Sequence, residues 1–187
     1  MRVIAGSAKR ILLSAPPGFG TRPTTDRIKE TLFNMISTKL ADCRFLDLFA
    51  GSGAIGIEAL SRGAGQAVFV EREQEAFQCI KDNLSRTKLD SRAAVLKMDA
   101  AAAVRQLAAE HKAFDIIFMD PPYRTKEAEK ILELLSSKAV CGKDTIIIIE
   151  EARETDFSFV ADLGFEVQKE KVYGTSKHVF LAVALNA

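Results

Sequence analysis

The stretch Asp47-Leu-Phe-Ala-Gly-Ser-Gly-Ala-Ile-Gly56 decides the fold. It starts inside the apolar run Phe45-Leu-Asp-Leu-Phe49, and Gly51, Gly53 and Gly56 follow in G-x-G-x-x-G spacing ahead of a helix-forming segment. Glycine permits a tight turn and a close approach of backbone to a ligand at a helix N-terminus, so the stretch reads as a strand passing into a helix around a bound group. Glu71 stands 20 residues beyond Gly51, after a second apolar run, Ala67-Val-Phe-Val70. A carboxylate there can accept hydrogen bonds from ribose hydroxyls. Turn and acid together mark a ribose-containing cofactor.

Outward from this turn, further apolar runs recur at Ala93-Ala-Val-Leu96, Phe114-Asp-Ile-Ile-Phe-Met119 and Thr145-Ile-Ile-Ile-Ile149. Runs this continuous suit strands buried on both faces of a parallel sheet. Helical stretches near 54–62, 73–86, 99–110 and 125–137 separate them, which predicts a doubly wound α/β sheet. The last two strand candidates, 165–173 and 177–185, are joined by only a few residues around Gly174 and must form an antiparallel hairpin at the sheet edge. At the front, Val3-Ile4 and Ile11-Leu12-Leu13 suggest a small hairpin. A helix from about Thr25 to Leu40 follows, with Ile28, Leu32, Phe33 and Ile36 on one face.

The glycine turn and Glu71 alone fit NAD as well as S-adenosylmethionine. Asp47 favours the latter, since a carboxylate just before the glycines suits a cationic amino-acid group and would repel a pyrophosphate. Asp99, after the third run, can accept a hydrogen bond from an adenine amino group. The antiparallel hairpin is also unlike the second half of a dinucleotide fold.

Asp120-Pro-Pro-Tyr123 follows the fourth run, at the carboxyl edge where open α/β sheets bind ligands. Two prolines stiffen the loop while Pro121 keeps its carbonyl as an acceptor. The Asp120 carboxylate and that carbonyl can hold both hydrogens of a planar amino group, and Tyr123 offers a face for stacking a base. Carbon methylation of cytosine would call for a cysteine nucleophile, and Cys43, Cys79 and Cys141 all lie outside this loop.

A chain of 187 residues, 48% hydrophobic and 27% charged, can bury a core of one moderate domain, and a single domain over residues 1–187 is expected. The 1–40 segment reads as an N-terminal extension and 41–187 as the sheet core. No window approaches a membrane helix, and the start has no apolar run of signal-peptide type, so a cytoplasmic protein is expected. The three cysteines indicate neither disulfides nor a zinc site. His111 and His178 lack metal-ligand spacing and read as structural or surface residues; no metal is expected. The formal net charge of +1 hides an asymmetry: six basic residues against two acidic ones through Glu30 leave that segment at +4 and the remainder at −3.

With these residues in place, the chain resembles the bacterial family of 16S ribosomal RNA guanine-N2 methyltransferases that modify guanine 966 of that RNA. The resemblance rests on Arg22-Pro-Thr-Thr-Asp-Arg-Ile-Lys-Glu-Thr-Leu-Phe-Asn34, on the glycine turn with Ile57-Glu-Ala-Leu-Ser-Arg-Gly-Ala64, on Val68-Phe-Val-Glu-Arg72, and on Asp120-Pro-Pro-Tyr123. It implies a Rossmann-like class I methyltransferase sheet of seven mostly parallel strands, S-adenosyl-L-methionine as donor, and 16S ribosomal RNA as partner, probed within a small-subunit particle by a monomer. It further implies that Asp47, Phe49, Ala50, Gly51, Ser52, Gly53, Glu71, Arg72, Asp99 and Ala100 bind the donor, with Thr24 and Thr25 closing over it. Asp120, Pro121, Pro122 and Tyr123 would hold the guanine, and Lys9, Arg10, Arg22, Arg27 and Lys29 would meet the RNA. Ser7-Ala-Lys-Arg-Ile-Leu12 departs from the family's usual, more basic turn, and Thr175-Ser176 stands where an acidic residue is usual. A DNA amino methyltransferase shares the last three blocks, but 187 residues leave no room for a target-recognition region. An NAD-dependent oxidoreductase has no use for the Asp120 loop, and a catalytically silent RNA-binding factor has none for a complete set of catalytic positions.

Overall fold

A computed structural model describes residues 1–16, 26–122, 125–137 and 139–184. The chain divides into two compact units, Met1–Asp99 and Ala100–Ala187. Residues 1–40, read from the sequence as an extension, fall within the first unit.

In the first unit, β1 (Arg44–Asp47), β2 (Gln66–Val70) and β3 (Ala93–Leu96) are parallel, in the order β3-β2-β1. The helix α2 (Ala54–Ser61) joins β1 to β2, and α3 (Gln74–Thr87) joins β2 to β3. Each crossover is too long for a hairpin and carries an apolar helix, as parallel pairing requires. All eight residues of α2 are buried. Its Gly56 lies so close to β2 that a Cβ there would sit 2.3 Å from the Phe69 ring, so glycine is what lets helix and strand approach.

Helix α1 (Asp26–Met35) is shorter than the expected 25–40 span, and a 3₁₀ turn at Ser37–Lys39 follows it. Ile36 leaves the helical region (φ −106°, ψ 8°), and the Ser37 hydroxyl bonds the Asn34 carbonyl, the local competition by which serine ends helices. The expected N-terminal hairpin is reduced to one antiparallel bridge between Arg2 and Leu12, with Val3 N–H donating to the Ile11 carbonyl at 3.0 Å.

What holds this small extension is Glu58. Its carboxylate is fully buried and accepts the Ile4 N–H at 2.8 Å, the Ala5 N–H at 3.0 Å and the Arg62 guanidinium at 2.7 Å. The Lys29 ammonium lies 3.3 Å away and donates to the Arg2 carbonyl at 2.6 Å. Lys29 was expected to meet RNA, and here the structure corrects the sequence: it is 1% exposed. Burial pulls its pKa down against the opposing pull of Glu58. An ammonium buried this deeply against a carboxylate and a carbonyl is out of reach of a phosphate.

In the second unit, α4 (Ala100–Ala109) precedes β4 (Phe114–Met119), and α5 (Glu127–Leu135) leads to β5 (Cys141–Ala152). A 3₁₀ segment at Ser158–Leu163 precedes β6 (Phe165–Tyr173) and β7 (Ser176–Val183). The order is β4-β5-β7-β6, with β4 and β5 parallel and the other two pairings antiparallel. The hairpin thus inserts its second strand beside β5, and β6 becomes the edge. Edge position explains why β6 is exposed along most of its length and carries Glu166, Lys169, Glu170 and Lys171, charges that discourage further strand pairing. Among the described residues no helix is long and apolar enough to cross a membrane.

Glu58 sets a first test. Glu58→Ala strips the buried Lys29, the partly buried Arg62 and two backbone N–H groups of their acceptor, and we expect a loss of roughly 3 to 5 kcal/mol. Urea denaturation of the two proteins measures it.

Candidate active site

The donor side of the site lies in the first unit. Asp47 ends β1 and is 1% exposed, and its Oδ2 accepts the Gly56 N–H at 3.1 Å from the first turn of α2. Its other oxygen, Oδ1, is buried without a partner. Desolvation pushes the Asp47 carboxyl up to about 7; the Gly56 N–H opposes this, and the charge of Glu71 adds to it. A half-matched buried carboxylate is costly unless something cationic completes it.

Between Asp47 and α2 the chain turns through Gly51, whose φ of +53° suits glycine, and a Cβ built there would meet nothing within 4 Å. The backbone beside this turn is open to a ligand. Glu71, just past β2, reaches back to it: Oε2 accepts the Gly51 N–H at 2.9 Å while Oε1 accepts the Glu73 N–H at 2.8 Å. The carboxylate is thereby fixed in place, and its remaining lone pairs can accept hydroxyls. An orphaned acid oxygen for an amino group and an immobilised acid for a ribose fit S-adenosylmethionine. Phe49 is half-buried and Ala50 buried, with the Ala50 N–H on the Val70 carbonyl at 3.0 Å.

Asp99 does not end β3, which stops at Leu96; it is exposed and stands immediately before α4, of which Ala100 is the first residue. Arg72 is exposed and pairs with Glu73 at 3.2 Å. Thr24, Thr25 and Arg22 lie outside the described residues. Lys9, Arg10 and Arg27 are all exposed.

Sequence reasoning missed Asn83. Fully buried on α3, it donates to the carbonyls of Ser52 at 2.9 Å and Ser14 at 3.0 Å and accepts the Ser14 N–H at 2.9 Å, so one amide clamps the glycine turn and the N-terminal segment together. The signal was present: an asparagine on the apolar face of α3, between Ile80 and Leu84.

The acceptor loop lies in the second unit. Asp120 directly follows β4 and is exposed, Pro121 is buried, and Pro122 is exposed. The Pro122 carbonyl accepts the Thr125 hydroxyl at 2.7 Å, which turns the chain toward α5. Tyr123 lies outside the described residues. A seated proline behind an exposed carboxylate makes a stiff acceptor suited to fixing an amino group.

Comparison with known proteins identifies relatives of the chain. Residues 1–182 match the family described as conserved hypothetical protein 95. The chain is 42% identical over 175 residues to the Bacillus subtilis protein named "Putative rRNA methyltransferase YlbH", covering 93% of this chain and 94% of that one. It is 35% identical over 174 residues to Ribosomal RNA small subunit methyltransferase D of Escherichia coli K12, covering 93% and 85%. The solved structure titled "Putative methyltransferase yhhF from Escherichia coli" superposes with a TM-score of 0.85 at 32% identity over 98% of each chain. The expected class I methyltransferase fold, seven strands in a mixed and mostly parallel sheet, is therefore the fold of this chain.

The state of Asp47 is open to measurement. Its pKa is raised from the ordinary carboxylate value, so the fold disfavours the ionised form; the stability linked to it is present at low pH and is lost as pH rises from about 4 to about 7. Thermal melting of the ligand-free protein across that range should show this decline, and Asp47→Asn should remove it.

Taken over its full matched length, the chain belongs to the conserved hypothetical protein 95 family, which includes Ribosomal RNA small subunit methyltransferase D.

Proposed function

We propose that this protein transfers a methyl group from S-adenosyl-L-methionine to the exocyclic N2 amino group of a guanine in 16S ribosomal RNA, guanine 966, during small-subunit assembly. It acts as one methyltransferase domain, a monomer in the cytoplasm. The observation that carries the reading is the buried Asp47 carboxylate with one oxygen unmatched, at the head of a glycine turn that glutamate 71 immobilises. The coarser statement, ribosomal RNA methylation, is supported by the names of two relatives that cover most of their length.

The donor supplies an electrophilic methyl group on a sulfonium. Asp47 takes the donor's ammonium through Oδ1, and Glu71 takes the ribose hydroxyls. Asp99 is suited to the adenine amino group, and Phe49, Ala50, Ser52, Gly53, Arg72, Ala100, Thr24 and Thr25 are proposed as further donor contacts. In the other unit, Asp120 and the Pro121 carbonyl accept the two N–H bonds of the guanine amino group, which turns its lone pair toward the methyl. Tyr123 stacks on the base, and Pro122 keeps the loop stiff. As the nitrogen gains the methyl it becomes cationic, and the Asp120 carboxylate stabilises that charge and takes up the departing proton. Catalysis is then largely positioning.

Single-turnover methyl transfer to small-subunit particles, with mass-spectrometric mapping of the modified base, tests this. Asp120→Ala should lose at least about 10²- to 10⁴-fold in rate while S-adenosylhomocysteine still binds. Asp120→Asn keeps an acceptor oxygen and should retain part of the activity. Near-normal transfer by Asp120→Ala would remove the mechanism.

The RNA contacts are proposed for Lys9, Arg10, Arg22 and Arg27. Replacing the three exposed cations among them, Lys9, Arg10 and Arg27, with alanine should flatten the salt dependence of RNA binding by about 0.7 to 0.9 per lost phosphate contact. Filter binding over a range of salt concentrations reads the slope, and an unchanged slope would put the docking surface elsewhere.

A further inference from the structure

The second unit holds a buried polar cluster that the methyl-transfer reading does not use. His178 on β7 is fully buried, and its Nε2 lies 3.1 Å from Oε2 of Glu150 on β5. The other ring nitrogen, Nδ1, is buried without a partner, and so is the Tyr173 hydroxyl at the end of β6. The Tyr173 and His178 rings meet edge to face at 5.0 Å. Apolar side chains of similar size would fill this space at lower cost, so a half-satisfied polar group here is not explained by stability.

Its place in the sheet is informative. Phe118 pairs with Ile148, Ile148 with Phe180, and Glu150 with His178. Paired residues share a face, so these five line one side of the sheet, and the edge-to-face contact of the Phe118 and His178 rings at 6.2 Å agrees with that. Up to Ile148 that face is apolar. One step further along each strand it turns acidic: Asp120 is two residues past Phe118, and Glu150 is two past Ile148. Asp120 stands one residue past the end of β4, and the last paired step is Met119 with Ile149; carrying that register on by one residue would bring the two acids level on neighbouring parallel strands about 4.8 Å apart.

We propose that Glu150 reads the base: its carboxylate accepts the N1–H of the guanine whose N2 amino group Asp120 holds, and His178 is the positioning residue that aims it. This rests on the guanine-N2 reading above. Guanine presents N1–H and the N2 amino group side by side as donors, and two adjacent carboxylates are their complement. Adenine N1 and cytosine N3 are acceptors, so a carboxylate facing them is repelled and left unmatched. Glu150 is 7% exposed and His178 not at all, which makes the glutamate the member that a base can reach and the histidine its support. With the proton assigned to Nε2, His178 donates to Oε2 and fixes the carboxylate's orientation.

The experiment compares small-subunit particles rebuilt with guanine or 2-aminopurine at the methylated position. 2-Aminopurine keeps the amino group but has no N1–H. The wild type should prefer guanine by about 10- to 100-fold in kcat/KM, as expected for a lost bond to a buried charge. Glu150→Gln should abolish or reverse the preference, because the His178 N–H holds the amide oxygen and turns the NH₂ toward the base, where it opposes guanine N1–H and matches the bare N1 of 2-aminopurine. His178→Phe, which leaves the carboxylate unaimed, should weaken the preference, whereas His178→Gln, which restores a donor, should recover most of it. A purely structural role would lower both substrates together and leave the ratio intact. Equal use of guanine and 2-aminopurine by the wild type, which needs no variant to fold, overturns the role of Glu150 while leaving N2 transfer standing. A methyl mapped to any other atom overturns the underlying reading instead.

Discussion

The hydrogen bond from the Gly56 N–H to the Asp47 carboxylate is the constraint on which the donor side of this protein depends. It joins the end of β1 to the first turn of α2 and fixes the turn between them. The bond occupies only one oxygen, so it leaves the other buried and in want of a cation. The fold tolerates this because Gly56 lets α2 pack directly on Phe69, burying the whole helix and holding the carboxylate where water cannot reach it. Packing thus creates the electrostatic deficit that makes a binding site.

The same helix organises the N-terminal extension. Glu58, two residues beyond Gly56, collects two backbone N–H groups and Lys29 from segments distant in sequence, and Arg62 from the end of its own helix. Ser61 adds a donor to the Ala5 carbonyl at 2.6 Å and an acceptor for the Ala8 N–H at 3.0 Å. Asn83 does the equivalent from α3, tying Ser14 to Ser52. The described residues of the extension ahead of α1 carry a single β-bridge, and they are held by buried polar side chains of the core. Its charges are consequently sorted: Lys29 is consumed inside, while Lys9, Arg10 and Arg27 remain at the surface.

In the second unit the function of each strand follows from where apolar character stops. β4 is apolar from Ile116 to Met119 and β5 from Ile146 to Ile149, and Asp120 and Glu150 are the next residue along each. The antiparallel hairpin supplies β7 as a third wall, bringing His178 against Glu150 from nearly thirty residues away. A parallel strand at this position would have run the other way and put a different register beside the glutamate.

Much of this was legible in the residues alone. The continuous apolar runs determined the strands, because a buried parallel strand has no polar face to present, and β3, β4 and β6 begin and end where their patterns do. Glycine spacing and the acids at Asp47, Glu71 and Asp120 determined the chemistry on offer, since few residue types can turn so tightly or accept an amino group. Tertiary structure alone decided the rest. Lys29 has the composition of a phosphate contact, and only the packing of α1 over Glu58 makes it a buried counter-ion. His178 has no neighbours in sequence to suggest a role, and only the β5–β7 register gives it one. Asn83 and Glu58 look like ordinary polar residues on helices until burial makes them acceptors and donors for distant backbone. In each case the deciding quantity is desolvation, which depends on what is packed around a group and has no local signature in the chain.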